Sequence, residues 1–278
     1  MARKVIKKNS AKTDRGTSRY SQIIEHIFLM RYKKGVNEVE FDRDDVRAAC
    51  QKLNVDLVKN IGDLVYSFRY RATLPEKIRM RATVGKAWII QPAGPAKYRF
   101  VLRTLTMIVP TKGLAETKVP DATPGLVGMY ALNDEQGLLA RVRYNRLIDL
   151  FTGVVCYSLQ NHLRTAILNI GQVETDELYV GVDRKGAHYI FPVQAKGGTD
   201  KLSIVQIEQD LALCAAKFPT LICRPVAAQF IEDDLIALFE FEDSKEGAKI
   251  SREKHYRLVP RGQLTKAELK AYRNRTED

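Results

Sequence analysis

Along the 278-residue chain, apolar positions follow first a helical and then an alternating rhythm. Tyr20, Ile23, Ile24, Ile27 and Phe28 recur at helical spacing, and residues 36–41 alternate as a short strand does. Asp42 stands where a helix cap is expected, ahead of a helix over residues 45–53 with Val46, Ala49, Cys50 and Leu53 on one face. After a break at Asn54 the spacing predicts another helix over residues 56–68. Residues 87–90 and 98–102 read as strands, joined by the turn-rich segment 91–97. From Met107 to Ala131 the periodicity stops, and Pro110, Gly113, Pro120, Pro124, Gly125 and Gly128 punctuate the stretch.

In the second half, residues 134–151 and 159–170 show helical spacing. A strand over 173–182, a turn at 183–186 and a strand over 188–195 then form a hairpin. Residues 203–218 follow as a helix, and 221–230 and 235–242 as two more strands. The expected fold class is α/β, α+β overall. The expected domains are a DNA-binding unit with a basic N-terminal tail (1–106), a linker (107–130), a catalytic unit (131–260) and a basic C-terminal tail (261–278). In the first, the order helix, strand, helix, helix, strand, strand suits a winged helix-turn-helix with segment 91–97 as its wing.

Charge narrows the partners. The chain carries 45 Lys and Arg against 33 Asp and Glu, a net +12, which favours a polyanion, nucleic acid foremost. Cys50, Cys156, Cys214 and Cys223 lie far apart in apolar stretches, against zinc and disulfides. There is no membrane-span run, no apolar signal core behind the basic start, and no Gly-rich phosphate loop. The expectation is a cytoplasmic protein with no membrane association and no nucleotide cofactor.

In the winged-helix reading, the second helix of the pair offers Lys59, Asn60, Asp63 and Ser67 to base edges, with Arg69, Arg71 and the wing's Lys97 near phosphates. The same fold also serves protein binding. Arg141, Arg143, Asn145 and Arg146 make the next helix basic on one side, either a DNA-facing surface or a solvated face. His162 and Arg164 would hold a DNA phosphate, or cap and anchor a helix.

The densest chemistry lies in the hairpin. Glu174, Asp176 and Glu177 sit on its first strand, and Gln194 and Lys196 end the second, two residues apart and so on one face. A carboxylate and an amide oxygen are hard donors suited to Mg²⁺, and a lysine beside them would orient water or neutralise developing charge. Asp176 and Glu177 point to opposite faces of a regular strand, so one of them serves the metal. A Q-x-K pair alone is equally an ordinary strand edge.

With a leading helix and a following helix and strands, these residues resemble the PD-(D/E)-X-K nucleases. The string Val193-Gln-Ala-Lys196 is similar to the Mrr-type variant, in which Gln replaces the second acid. The resemblance spans residues 134–242 and lacks the Pro-Asp of the motif's name. It implies a restriction-endonuclease-like αβ sandwich with a central mixed sheet, Asp176 and Gln194 as Mg²⁺ ligands, and Lys196 in catalysis. It further implies a helix acid matched by Glu135, and a Gln on the next helix matched by Gln206 or Gln209. The function this implies is a Mg²⁺-dependent, sequence-specific endonuclease of double-stranded DNA acting as a homodimer, since one site cuts one strand. A repair, junction or transposition nuclease shares the site. A DNA-binding regulator is the inactive alternative, because Gln removes one negative charge from the metal centre.

Overall fold

Ile23, Ile24, Ile27 and Phe28, the apolar face of the first helical pattern, are all buried in α1 (Arg15–Arg31). The computed structural model describes residues 15–70, 72–104, 108–132, 134–167, 170–197, 202–244 and 247–275, and it divides into two units, Met1–Leu105 and Thr106–Asp278. Arg71 and the basic residues before Arg15 lie outside the described residues.

In the first unit β1 (Glu38–Asp42), α2 (Arg43–Lys52), α3 (Ile61–Tyr70), α4 (Glu76–Arg79), β2 (Lys86–Gly94) and β3 (Lys97–Thr104) follow α1. The strands form an antiparallel sheet in the order β1-β3-β2. Asp42 caps α2 in a reciprocal box with Asp45, so two otherwise orphaned amides are satisfied at the turn from strand to helix. Phe28 packs edge-on against Trp88 and Phe100, ring centroids 5.0 Å apart in both cases, locking α1 onto the sheet.

Two expectations change here. The helix expected from residue 56 begins at Ile61, because Asn54 takes a left-handed φ of 51° and the Asn60 side chain accepts from the amide of Gly62. The strands expected over 87–90 and 98–102 extend into segment 91–97, with β2 running to Gly94 and β3 starting at Lys97, so the turn between them is short.

The second unit contains β4 (Glu116–Pro120), α5 (Gly125–Tyr130), α6 (Glu135–Tyr144), α7 (Leu147–Thr152), β5 (Val155–Ile167), β6 (Gly171–Val182), β7 (His188–Lys196) and α8 (Ile204–Lys217). After these come β8 (Ile222–Cys223), β9 (Val226–Glu232), β10 (Leu235–Ser244), β11 (Gly247–Val259) and α9 (Lys266–Arg273). Its mixed sheet runs β4-β11-β10-β9-β7-β6-β5, with β8 beside β7. Strand alternation sends Phe191, Val193, Ala195, Val226 and Ala228 against Leu138, Leu139, Val142 and Phe151 of α6 and α7. The opposite face sends Ala227, Ala237 and Phe239 against Ile207, and Leu178 and Ile190 against Cys214, both of α8. Helices therefore cover both faces, and the chain is mixed α/β, α+β overall. No helix among the described residues is long and apolar enough to cross a membrane.

The sequence reading is corrected at four places. Residues 159–170, expected as helix, fall mostly in β5, an edge strand exposed on both faces from Tyr157 to His162. Its leucine spacing marked no buried helical face, and pairing with β6 decides the conformation. The helix over 134–151 is broken at Arg146, whose φ is 50°. The expected linker supplies β4, which pairs in parallel with β11. The expected C-terminal tail supplies α9, capped by Thr265 and Glu268.

Lys118 of β4 holds α9: its Nζ lies 2.6 Å from Glu268, and its amide donates to the Tyr272 hydroxyl at 3.0 Å. The ammonium of Lys118 and the N–H and hydroxyl of Thr265 draw the Glu268 carboxyl down to about 2 from an ordinary 4.5. Because the folded value is the lower one, the contribution is complete above the unfolded value and is lost as pH falls from 4.5 through about 2. An NMR titration of the side-chain carboxyl should therefore give a midpoint near 2, and Lys118→Ala should raise it; an ordinary midpoint in the wild type would contradict this docking.

Candidate active site

The ladder between β6 and β7 ends at Glu177–Val193, although both strands continue past it. Beyond that point β7 takes β9 as its parallel partner over Val193 to Lys196. The two strands part at Asp176. Its Oδ2 accepts from the Ala195 amide at 2.9 Å, a side chain doing there what a ladder carbonyl does elsewhere. Gln194 spans the same gap, its Nε2 donating to the Glu174 carbonyl at 3.2 Å.

Glu177 and Asp176 are thereby separated. Glu177 is fully buried on the α6 side, accepting from Arg143 Nε at 2.9 Å and from the Ser158 hydroxyl at 2.6 Å. Asp176 lies at the fork. Burial pushes its carboxyl above the usual range, opposed by the Ala195 amide and the Lys196 charge, with Glu135 adding to the rise.

Lys196 ends β7 with its Nζ 2.5 Å from Glu135 at the start of α6, and it is largely buried. Gly197 makes this approach possible: a Cβ there would lie 3.0 Å from the Asp134 backbone and 3.1 Å from the Glu135 amide. Asp134 in turn caps α6 through the Gly137 amide at 2.9 Å. The helix start is thus pinned against the strand end, and the Glu135–Lys196 pair follows from that contact.

Gln194 faces α8. Its Nε2 donates to Asp210 Oδ2 at 2.9 Å, and its Oε1 accepts from Gln206 Nε2 at 3.3 Å. Asp210 is fully enclosed, and burial holds its carboxyl well above the usual range. Sequence reasoning missed Asp210, since a lone acid inside an amphipathic helix looks like a solvated position. Gln206 touches Gln194, and Gln209 is buried on the same helix.

Asp176 is therefore bonded to the backbone between Gln194 and Lys196, Lys196 is paired with Glu135, Gln194 turns its side chain to α8, and Glu177 is held elsewhere by Arg143 and Ser158. Among the described residues, no three His, Cys, Asp or Glu side chains converge as a metal group. The donors at the fork are carboxylate, amide and backbone oxygens, which suit a hard, partly hydrated cation such as Mg²⁺ and do not suit zinc.

The expected DNA contacts are scattered. Lys59 and Asn60 are exposed but precede α3, Ser67 and Arg69 are half-buried on it, and Lys97 is exposed at the hairpin tip. Asp63 accepts from the Tyr20 hydroxyl at 3.2 Å. The basic helix face is engaged within the unit: Arg141 donates to the Asp233 carbonyl, Arg146 pairs with Asp149, and buried Asn145 accepts from the Ala122 amide. His162 and Arg164 stand on β5 beside Glu174, so neither caps a helix. Comparison of the chain with protein-family models, curated proteins and solved structures finds no match.

Arg143 has a structural task whatever else it touches. Arg143→Ala would leave the Glu177 carboxylate buried without its cation, costing roughly 3 kcal/mol. Urea denaturation should show this loss, and Arg143→Ala/Glu177→Gln should recover part of it. An Arg143→Ala chain as stable as wild type would contradict the assignment.

Proposed function

We propose that the protein is a Mg²⁺-dependent endonuclease of double-stranded DNA, with its phosphodiesterase centre at the β6–β7 fork and the first unit as a winged-helix module selecting the target. The single observation that carries this reading is the fork itself: a buried Asp176 bonded to the backbone between Gln194 and Lys196, with Lys196 paired to Glu135. That arrangement is what the resemblance to PD-(D/E)-X-K nucleases implies, and helices on both faces of a mixed sheet are compatible with it.

Asp176 and Gln194 would hold the ion, Oε1 exchanging its 3.3 Å contact with Gln206 for it. When bound, Mg²⁺ would polarise the phosphate and lower the pKa of a coordinated water. Lys196 is placed to neutralise charge that develops on the phosphoryl oxygens as water adds. Glu135 is within hydrogen-bond reach of Lys196 and keeps its ammonium at the centre. Asp210 and the Glu174 carbonyl hold the Gln194 amide nitrogen, which leaves Oε1 as the atom free to change partner. Asp176 gains from an adjacent cation, because its burial opposes the ionised state.

The net +12 charge supports a polyanionic substrate, and cutting both strands would call for a homodimer in which two such centres face one duplex. Lys59, Asn60, Ser67, Arg69, Arg71 and Lys97 remain the proposed contacts of the first unit.

Incubation of the protein with plasmid and Mg²⁺ tests the activity. Discrete fragments are expected, and Lys196→Ala should lower the single-turnover rate by about 10²–10³-fold. Undiminished cutting by Lys196→Ala would remove the assigned centre, and DNA binding without cutting would favour a regulator. Binding should itself be strongly salt-dependent: Lys196→Ala should lose about 10³-fold or more in duplex affinity between 50 and 200 mM salt if roughly six or more phosphates are neutralised. A flat salt response would contradict a phosphate-dominated interface.

A further inference from the structure

β5 is irregular where it faces the fork. Pairing with β6 shifts by one residue between Ser158 and Gln160, resumes at Gln160–Leu178, and continues through Asn161–Glu177 and Leu163–Thr175. His162 falls between the last two pairs, directly across from Asp176, and its φ is 48°. A left-handed conformation at a non-glycine residue inside a strand is sparsely populated and costs on the order of 1 kcal/mol, so the surrounding contacts must hold it.

α6 supplies one such contact. The His162 Nε2 lies 3.2 Å from Nε2 of Gln136, the neighbour of Glu135 on α6. Nδ1 lies 3.7 Å from Glu174 Oε1, beyond hydrogen-bond reach, while Arg164 takes the other Glu174 oxygen at 2.9 Å. With the Gln136 amide donating to Nε2, the ring proton resides on Nδ1. The side chain is 57% exposed, on the open edge strand of the sheet.

We propose that His162 is a further substrate-contacting residue of this centre, its Nδ1–H donating to a phosphoryl oxygen of the DNA strand lying over Asp176. The proposal rests on the nuclease reading above. The left-handed backbone re-aims a side chain that a regular strand would direct elsewhere, as bulges next to active sites do. Gln136 fixes the tautomer, and Arg164 neutralises Glu174, which would otherwise repel the phosphate.

Two replacements that tolerate the left-handed backbone test it. Asn keeps an N–H near the Nδ1 position, and Gly removes it. His162→Asn should cut plasmid within about threefold of wild type. His162→Gly should melt no lower than wild type but turn over about 10–100-fold more slowly, with the loss in kcat exceeding the change in KM. Wild-type turnover by His162→Gly, or equal losses in both variants, would overturn the contact while leaving the nuclease reading intact. Absence of any Mg²⁺-dependent cutting by the wild-type chain would overturn both.

Discussion

The second unit depends on one constraint: the β6–β7 ladder stops at Glu177–Val193, before either strand ends. Backbone groups that would have paired must find other partners in a buried setting, where an unmet group costs about 1–3 kcal/mol. Asp176 takes one and Gln194 another. Polar side chains are thus held inside an apolar sheet because the fork needs them, and the same need fixes their direction. A pre-aimed carboxylate and amide are also what an ion-binding centre requires.

From this point outward the supports are specific. Gly197 admits the start of α6, which sets Glu135 against Lys196. On the other face α8 presents Gln206 and Asp210 to Gln194. Glu177, one residue from Asp176, is consumed by Arg143 and Ser158 and serves the junction of β5, β6 and α6. Two adjacent acids therefore carry unrelated tasks, separated by which layer each meets.

Much of this was legible in the sequence where side-chain period and burial agree. The α1 face, the Asp42 cap, the hairpin and α8 follow from apolar spacing, capping and turn chemistry. The choice between Asp176 and Glu177 was open, because alternation says that they differ in face without saying which face holds the centre. β5 was misread because an edge strand exposed on both sides has no buried stripe, and its leucines fell by coincidence at helical intervals. β4 and α9 were invisible for a different reason: each is stabilised by distant chain, β4 by β11 and α9 by Lys118. Asp210 carried no local signal, since its role exists only once α8 lies on β7.

The central claim is that the fork binds a divalent ion through Asp176, and NMR with Mn²⁺ in place of Mg²⁺ tests it most directly. Substoichiometric Mn²⁺ should broaden the Ala195 and Lys196 amide resonances in the wild type, and Mg²⁺ in excess should restore them. Asp176→Asn should abolish the broadening. Mn²⁺ that leaves those amides sharp, or broadens them equally in Asp176→Asn, would contradict the account.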